Sequence, residues 1–244
     1  MKQTQNITTA QPYLTILPDN EEVFASSDMF LAKHMLPLVS IDLSAINPKW
    51  QGLIHLVNPV EPADSYIGDY TPEYHNEFAG QNWFILQLDE NNHYQWLGQR
   101  QYFILENENH QEICFGQMQP HSDAMHKDYL KVKAQFKETG EMISSSHLKF
   151  DLEFRKQHPN ILLNWIGGEF SVSNYISPLD QYFNLQFINR RTDDEEVHVY
   201  DKQDRRYYFI ACASGWQYCT SGADDILMYY QPETKRVLFT FDWT

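Results

Sequence analysis

The chain has 244 residues, 42% hydrophobic and 15% aromatic, with 33 acidic against 18 basic side chains and a formal net charge of −15. Such a composition excludes a disordered chain, and the lack of any apolar run of about 18 residues excludes a membrane-spanning helix. The surplus negative charge repels nucleic acid and anionic lipid and favours a basic partner.

In chain order, MKQTQNITTAQPYLTILPDNEE opens with one Lys and no apolar stretch of signal-peptide length, which reads as a cytoplasmic protein. EEVFASSDMFLAKHM (21–35) is a helical candidate. HMLPLVSIDLSAINPKWQGLIHLV (34–57) reads as strand, short connection, strand, broken by Pro, Lys and Gly. Residues 57–80 carry three prolines, two glycines and five acids, which predicts a long surface loop. NWFILQL and QYFILEN then predict a hairpin, with Asp89, Asn91, Asn92 and Gly98 in its turn.

HSDAMHKDYLKVKAQFKETG (121–140) is the clearest helix. Met125, Tyr129, Val132 and Phe136 fall on one stripe, Lys127, Lys131, Lys133 and Lys137 on other faces, Ser122 or Asp123 offers an N-cap, and Gly140 follows the end. KFDLEF (149–154) alternates as a half-buried strand. ILLNWIGGEF (161–170) is an apolar strand ending at a Gly-Gly corner, and ILMYY (226–230) with RVLFTFDW (236–243) closes the chain as a hairpin.

One sentence of this sequence is written twice. FILQL (84–88) followed by QYFIL (101–105) is echoed by FNLQF (183–187) followed by YYFI (207–210), across the longer connection INRRTDDEEVHVYDKQDRR. The reading is a single globular domain, 1–244, of α+β class: mostly antiparallel sheets in two related, closely packed halves with a few helices. The halves are 34–120 and 147–244, joined by helix 122–138. The segments LVSIDLSAI…GLIHLV, FILQL, FNLQF, WIGGEF and YYFI resemble the YwqG-like family of bacterial cytoplasmic proteins. Phe170 departs from it, standing where a proline often follows the IGG corner, and so does the charged turn of the second half. The resemblance implies an α+β fold of two related halves and a lineage often found near bacterial toxin loci. No catalytic residues are established for that family, so it implies none here.

No motif for chemistry emerges. A G-x-S-x-G elbow, a P-loop and a G-x-G-x-x-G opening a helix are all absent. His121 and His126 are five apart, which does not stack two imidazoles on one helix face, and six residues separate Cys212 from Cys219, unlike a metal knuckle. Cys114 makes the cysteine count odd, which suits a reducing compartment better than disulfides. The reading predicts no catalytic residues, metal or cofactor.

Charge position says more than charge total. Residues 1–120 hold 15 acids and 4 bases, a net of −11, and no Lys or Arg lies between Lys49 and Arg100. Glu61, Asp64, Asp69, Glu73 and Glu77 fall in that base-free stretch, and Asp193, Asp194, Glu195 and Glu196 form a second acidic run. Arginines 190, 191, 205 and 206 flank that run and are expected to neutralise much of its field. These nine acids are the expected partner-binding residues. The function they point to is a non-enzymatic binding protein, an immunity protein that neutralises a cognate bacterial toxin by occluding its basic active-site surface. The alternative is an enzyme or small-ligand protein with a pocket between the halves, where the repeated strands meet. Neither nucleic acid nor membrane is an expected partner, and the sequence leaves the oligomeric state open.

Overall fold

The computed structural model describes residues 3–60, 62–144, 151–171, 173–192 and 195–243. Their elements in chain order are β1 (Thr4–Ile7), β2 (Leu14–Ile16), α1 (Asn20–Val23), β3 (Met35–Asp42), α2 (Leu43–Ile46), β4 (Leu53–Pro59), β5 (Ala79–Gly80), β6 (Trp83–Leu88) and β7 (Tyr94–Trp96). There follow α3 (Met118–Thr139), α4 (Leu152–Gln157), β8 (Leu163–Ile166), α5 (Ile176–Asp180), β9 (Asn184–Ile188), β10 (Glu196–Tyr200), β11 (Arg206–Ala213), β12 (Asp225–Gln231) and β13 (Arg236–Asp242). The fold is α+β with mostly antiparallel sheet. No helix among the described residues is long and apolar enough to cross a membrane.

Ten of the strands form one sheet with the path β1-β8-β11-β12-β13-β6-β5. It forks at both ends. The outer side of β6 is shared between β5 and β7, and that of β11 between β8 and β10, which in turn carries β9. The centre is the β12–β13 hairpin expected from ILMYY and RVLFTFDW, in register from Asp225↔Asp242 to Gln231↔Arg236. Both of its faces are buried, so its residues read as continuous apolar runs rather than an alternation. A bulge between Phe209 and Ala211 resets the side-chain alternation of β11, so Tyr207, Phe209 and Cys212 all face one side.

That side forms a second core, where Leu227, Tyr229 and Leu238 meet Phe170, Tyr175, Leu179 and Phe183. The opposite side packs Met228, Val237, Phe239 and Phe241 into the larger core, against a three-stranded sheet of β2, β3 and β4. The strand–connection–strand reading of 34–57 is therefore correct. Pro37 sits in β3 at a bulge, where its missing N–H leaves no gap in the ladder. Its carbonyl accepts the Tyr129 hydroxyl at 2.6 Å, which fastens α3 along the small sheet.

Several expectations are corrected. QYFIL is not a strand: 100–102 and 104–106 are tight helical turns, and the partner of β6 is the short β7. FNLQF does not pair with YYFI, because EVHVY inside their connection forms β10 between them. KFDLEF is not a strand where described, since 152–157 is helix α4, and 149–150 lie outside the described residues. The Gly-Gly corner is as expected: Gly167 and Gly168 have φ of 69° and 77°, and a Cβ on Gly168 would stand 2.7 Å from the Cβ of Gln3.

Candidate partner-docking face

The segment 62–78 contributes one short turn of helix at 72–74 and otherwise runs as loop, yet it is tied down at several points. Ile67 is buried, and its carbonyl accepts the Asn82 amide at 2.9 Å. Thr71 Oγ1, also buried, donates to the Tyr102 carbonyl at 2.9 Å, and the Tyr102 hydroxyl reaches the Gly80 and Trp83 carbonyls at 2.9 and 3.1 Å. Gly68 (φ 79°) lies so close over the Tyr102 ring that a Cβ there would be 2.7 Å from it. The QYFIL run thus serves as a buried footing: Tyr102, Phe103, Ile104 and Leu105 are all buried, and Tyr102 meets the loop directly. A loop anchored this way presents its charges at fixed positions.

Those charges are Asp64, Asp69, Glu73 and Glu77, all exposed, while Glu61 lies outside the described residues. Asp69 accepts from the Ser65 hydroxyl and from Gln81 Nε2 at 2.7 Å, and Asp64 Oδ2 accepts the Tyr70 hydroxyl at 3.1 Å. Beside Asp64 the chain makes an unusual turn. Cys114, Phe115 and Gly116 all have positive φ, of 51°, 53° and 73°. Phe115 is 91% exposed. A cavity of about 170 Å³ opens there, lined by Ala63, Asp64, Cys114, Phe115, Gln117 and Met118. Sequence reasoning passed over Phe115, because a Phe between Cys and Gly carries no signal of exposure.

The second acidic run is placed in part. Asp193 and Asp194 lie outside the described residues; Glu195 accepts the Arg191 backbone amide at 3.2 Å, and Glu196, in β10, approaches His198 at 3.7 Å. Two of the arginines expected to neutralise this turn pair elsewhere. Arg205 forks onto Asp201 at 2.7 and 2.8 Å, and Arg206 reaches Glu169 at 2.6 Å. Arg190 lies over the Phe187 ring, 5.0 Å from its centroid.

One Ser–His pair and the three cysteines are buried. Ser40 Oγ and His55 Nδ1 are 2.7 Å apart, the spacing of a nucleophile and its base. Both are buried, neither lines a cavity described above, and His55 Nε2 donates to the Asn92 carbonyl at 2.8 Å. Burial pushes all three thiols up, Cys114 to about 11, Cys219 to about 12 and Cys212 well above its usual value, so none is a thiolate at neutral pH. Among the described residues no group of three or more His, Cys, Asp or Glu could hold a metal ion. A cavity of about 260 Å³ lies between the end of α3, α4 and residues 8–10, with Phe136, Arg155, His158 and Leu162 in its wall. Neither echoing strand lines it; β9 lines a separate open depression with Tyr200 and Asp204.

No family model matches the chain, and neither a curated protein nor a solved structure does.

Proposed function

We propose that this chain is a non-enzymatic binding protein whose acidic 61–77 face captures a basic protein. The YwqG-like resemblance gives that partner a character: a bacterial toxin whose basic active-site surface is occluded by its immunity protein. The observation that carries the reading is the pinning of exposed Asp64, Asp69, Glu73 and Glu77 by Ile67, Thr71 and Tyr102 within a base-free stretch. Carboxylates held out from a rigid footing steer a cationic partner without an ordering cost at docking. Residues 195–196 form the competing face.

The test begins with capture of the partner from lysate of the native organism by the tagged chain, identified by mass spectrometry. Surface plasmon resonance across a salt series then compares Asp64→Lys/Asp69→Lys/Glu73→Lys with Glu195→Lys/Glu196→Lys. The first variant is expected to slow association about tenfold or more at low salt. The deficit should shrink as the screening length falls to about 8 Å at physiological ionic strength. Loss of association only in the second variant places the interface on the wrong face, and failure to form any stable one-to-one complex removes the binding function.

A further inference from the structure

We infer that the cavity beside Phe115 is a socket for an arginine side chain of the partner, an assignment that rests on the acidic face being a docking surface. Phe115 leaves nearly its whole ring in water, and its backbone holds a left-handed conformation flanked by two more such residues. Both features are costly. Phe115 and Asp64 both line the cavity, and the exposed Asp64 carboxylate, which accepts the Tyr70 hydroxyl, lies close enough to act on the Cys114 thiol. Ala63, Cys114, Gln117 and Met118, which is 4% exposed, complete the lining. The Cys114 thiol stays protonated, raised by burial and then by the charge of Asp64, so it offers a neutral surface.

The occupant follows from that lining. An anion meets Asp64 and is repelled, while a purely apolar group strips water from a carboxylate and gives nothing back. A cation on an apolar stem satisfies both Asp64 and Phe115. Arginine fits better than lysine, because a planar guanidinium can stack on the ring while its fork of donors reaches the carboxylate.

The probe is Nα-acetyl-arginine N-methylamide, titrated into 15N-labelled protein and followed by amide chemical shifts, with the lysine and the uncharged citrulline analogues alongside. Saturable shifts are expected at Asp64, Cys114, Phe115 and Gln117 with the arginine probe, and affinity about tenfold weaker for citrulline. Asp64→Asn and Phe115→Gly should each abolish the saturable response. Phe115→Gly should melt no lower than wild type, since glycine relieves the left-handed backbone, which separates lost binding from lost folding. Equal response to citrulline, preference for lysine, or shifts spread evenly over Asp69, Glu73 and Glu77 overturns the socket. The two assignments also fail separately. A captured partner that answers to the 64–73 charge reversals but binds Phe115→Gly normally removes the socket and keeps the docking face. A saturable arginine response with a partner indifferent to those reversals does the opposite.

Discussion

His34 and His55 illustrate what burial does to a titratable side chain. Each is almost fully buried, and loss of solvent pulls each ring down to about 4, although Glu106 beside His34 and the Asn92 carbonyl beside His55 oppose the shift. His55 therefore stays neutral, with its proton on Nε2 facing Asn92 and Nδ1 accepting from Ser40. His34 donates from Nε2 to Glu106 at 3.0 Å while stacking on Phe103 with centroids 4.4 Å apart. Because the folded values lie below the unfolded value of about 6.5, the unfolded chain takes up protons first on acidification. The stabilisation is whole above about pH 6.5 and is lost as pH falls toward about 4, on the order of 3 kcal/mol for each ring. Glu169 and Asp225 carry the opposite sign, since burial raises them and the folded state favours their protonated forms. A histidine-resolved NMR titration separates the contributions. His34 and His55 should show no midpoint between pH 8 and 5, and a midpoint near 6.5 for either would mean its site is open to water. The histidine-rich composition announces none of this, because environment and not spacing sets these rings.

Among the elements, α3 was the most legible, and only its start was misplaced. The Met125–Tyr129–Val132 stripe is buried, Phe136 is half-buried, and Gly140 caps the end at φ 70° with its amide on the Phe136 carbonyl. The helix begins at Met118, however, so Ser122 and Asp123 are interior rather than caps, and the Ser122 carbonyl accepts from His126. Pro120 in the first turn is compatible with that earlier start, because the first amides have no helical partner. Val132→Asp is expected to destabilise by several kcal/mol, an unpaired charge placed where the side chain is wholly buried. Lys131→Asp, one residue away and exposed, should change the melting temperature little; equal melting temperatures would refute the register. The misread segments share a cause. A contiguous apolar run such as YFIL suits a buried strand or a buried turn equally well. In KFDLEF the alternation masked Asp151, which caps α4 by accepting the Phe154 amide, and Arg155 and Lys156 at the helix end.

At the scale of the molecule, the echo is real as sequence and unequal as structure. FILQL lies inside the sheet as β6, buried and flanked on both sides, whereas FNLQF starts from a buried Phe183 and runs into β9, an edge strand of partly exposed residues. Gln87 donates to the Thr234 carbonyl in the closing hairpin, while Gln186 accepts the Tyr200 hydroxyl. The sheet's long-range pairing joins the chain's distant parts: β13 hydrogen-bonds to β6 from Thr240↔Trp83 to Arg236↔Gln87. Fragments 1–144 and 151–244 expressed apart should therefore show no cooperative thermal transition by circular dichroism, and should regain one when mixed. A cooperative melt from either fragment alone would show that half to be self-sufficient. The acidic face was legible because charge runs survive in one dimension. The Phe115 turn was not, since exposure of a single ring is a property of three.

The opening strand has a bearing on how copies of this chain coexist. β1 hydrogen-bonds along β8 from Thr4↔Ile166 to Ile7↔Leu163, and its own outer side is polar and bent by Asn6, whose φ is 52°. Without it, the apolar ribbon Leu163–Ile166 would present unpaired amides and carbonyls to any second copy, the usual template for edge-to-edge aggregation. A few polar residues thus act as a hem, and a proteolytic cut near residue 8 that releases them is expected to promote edge-to-edge association, read by light scattering.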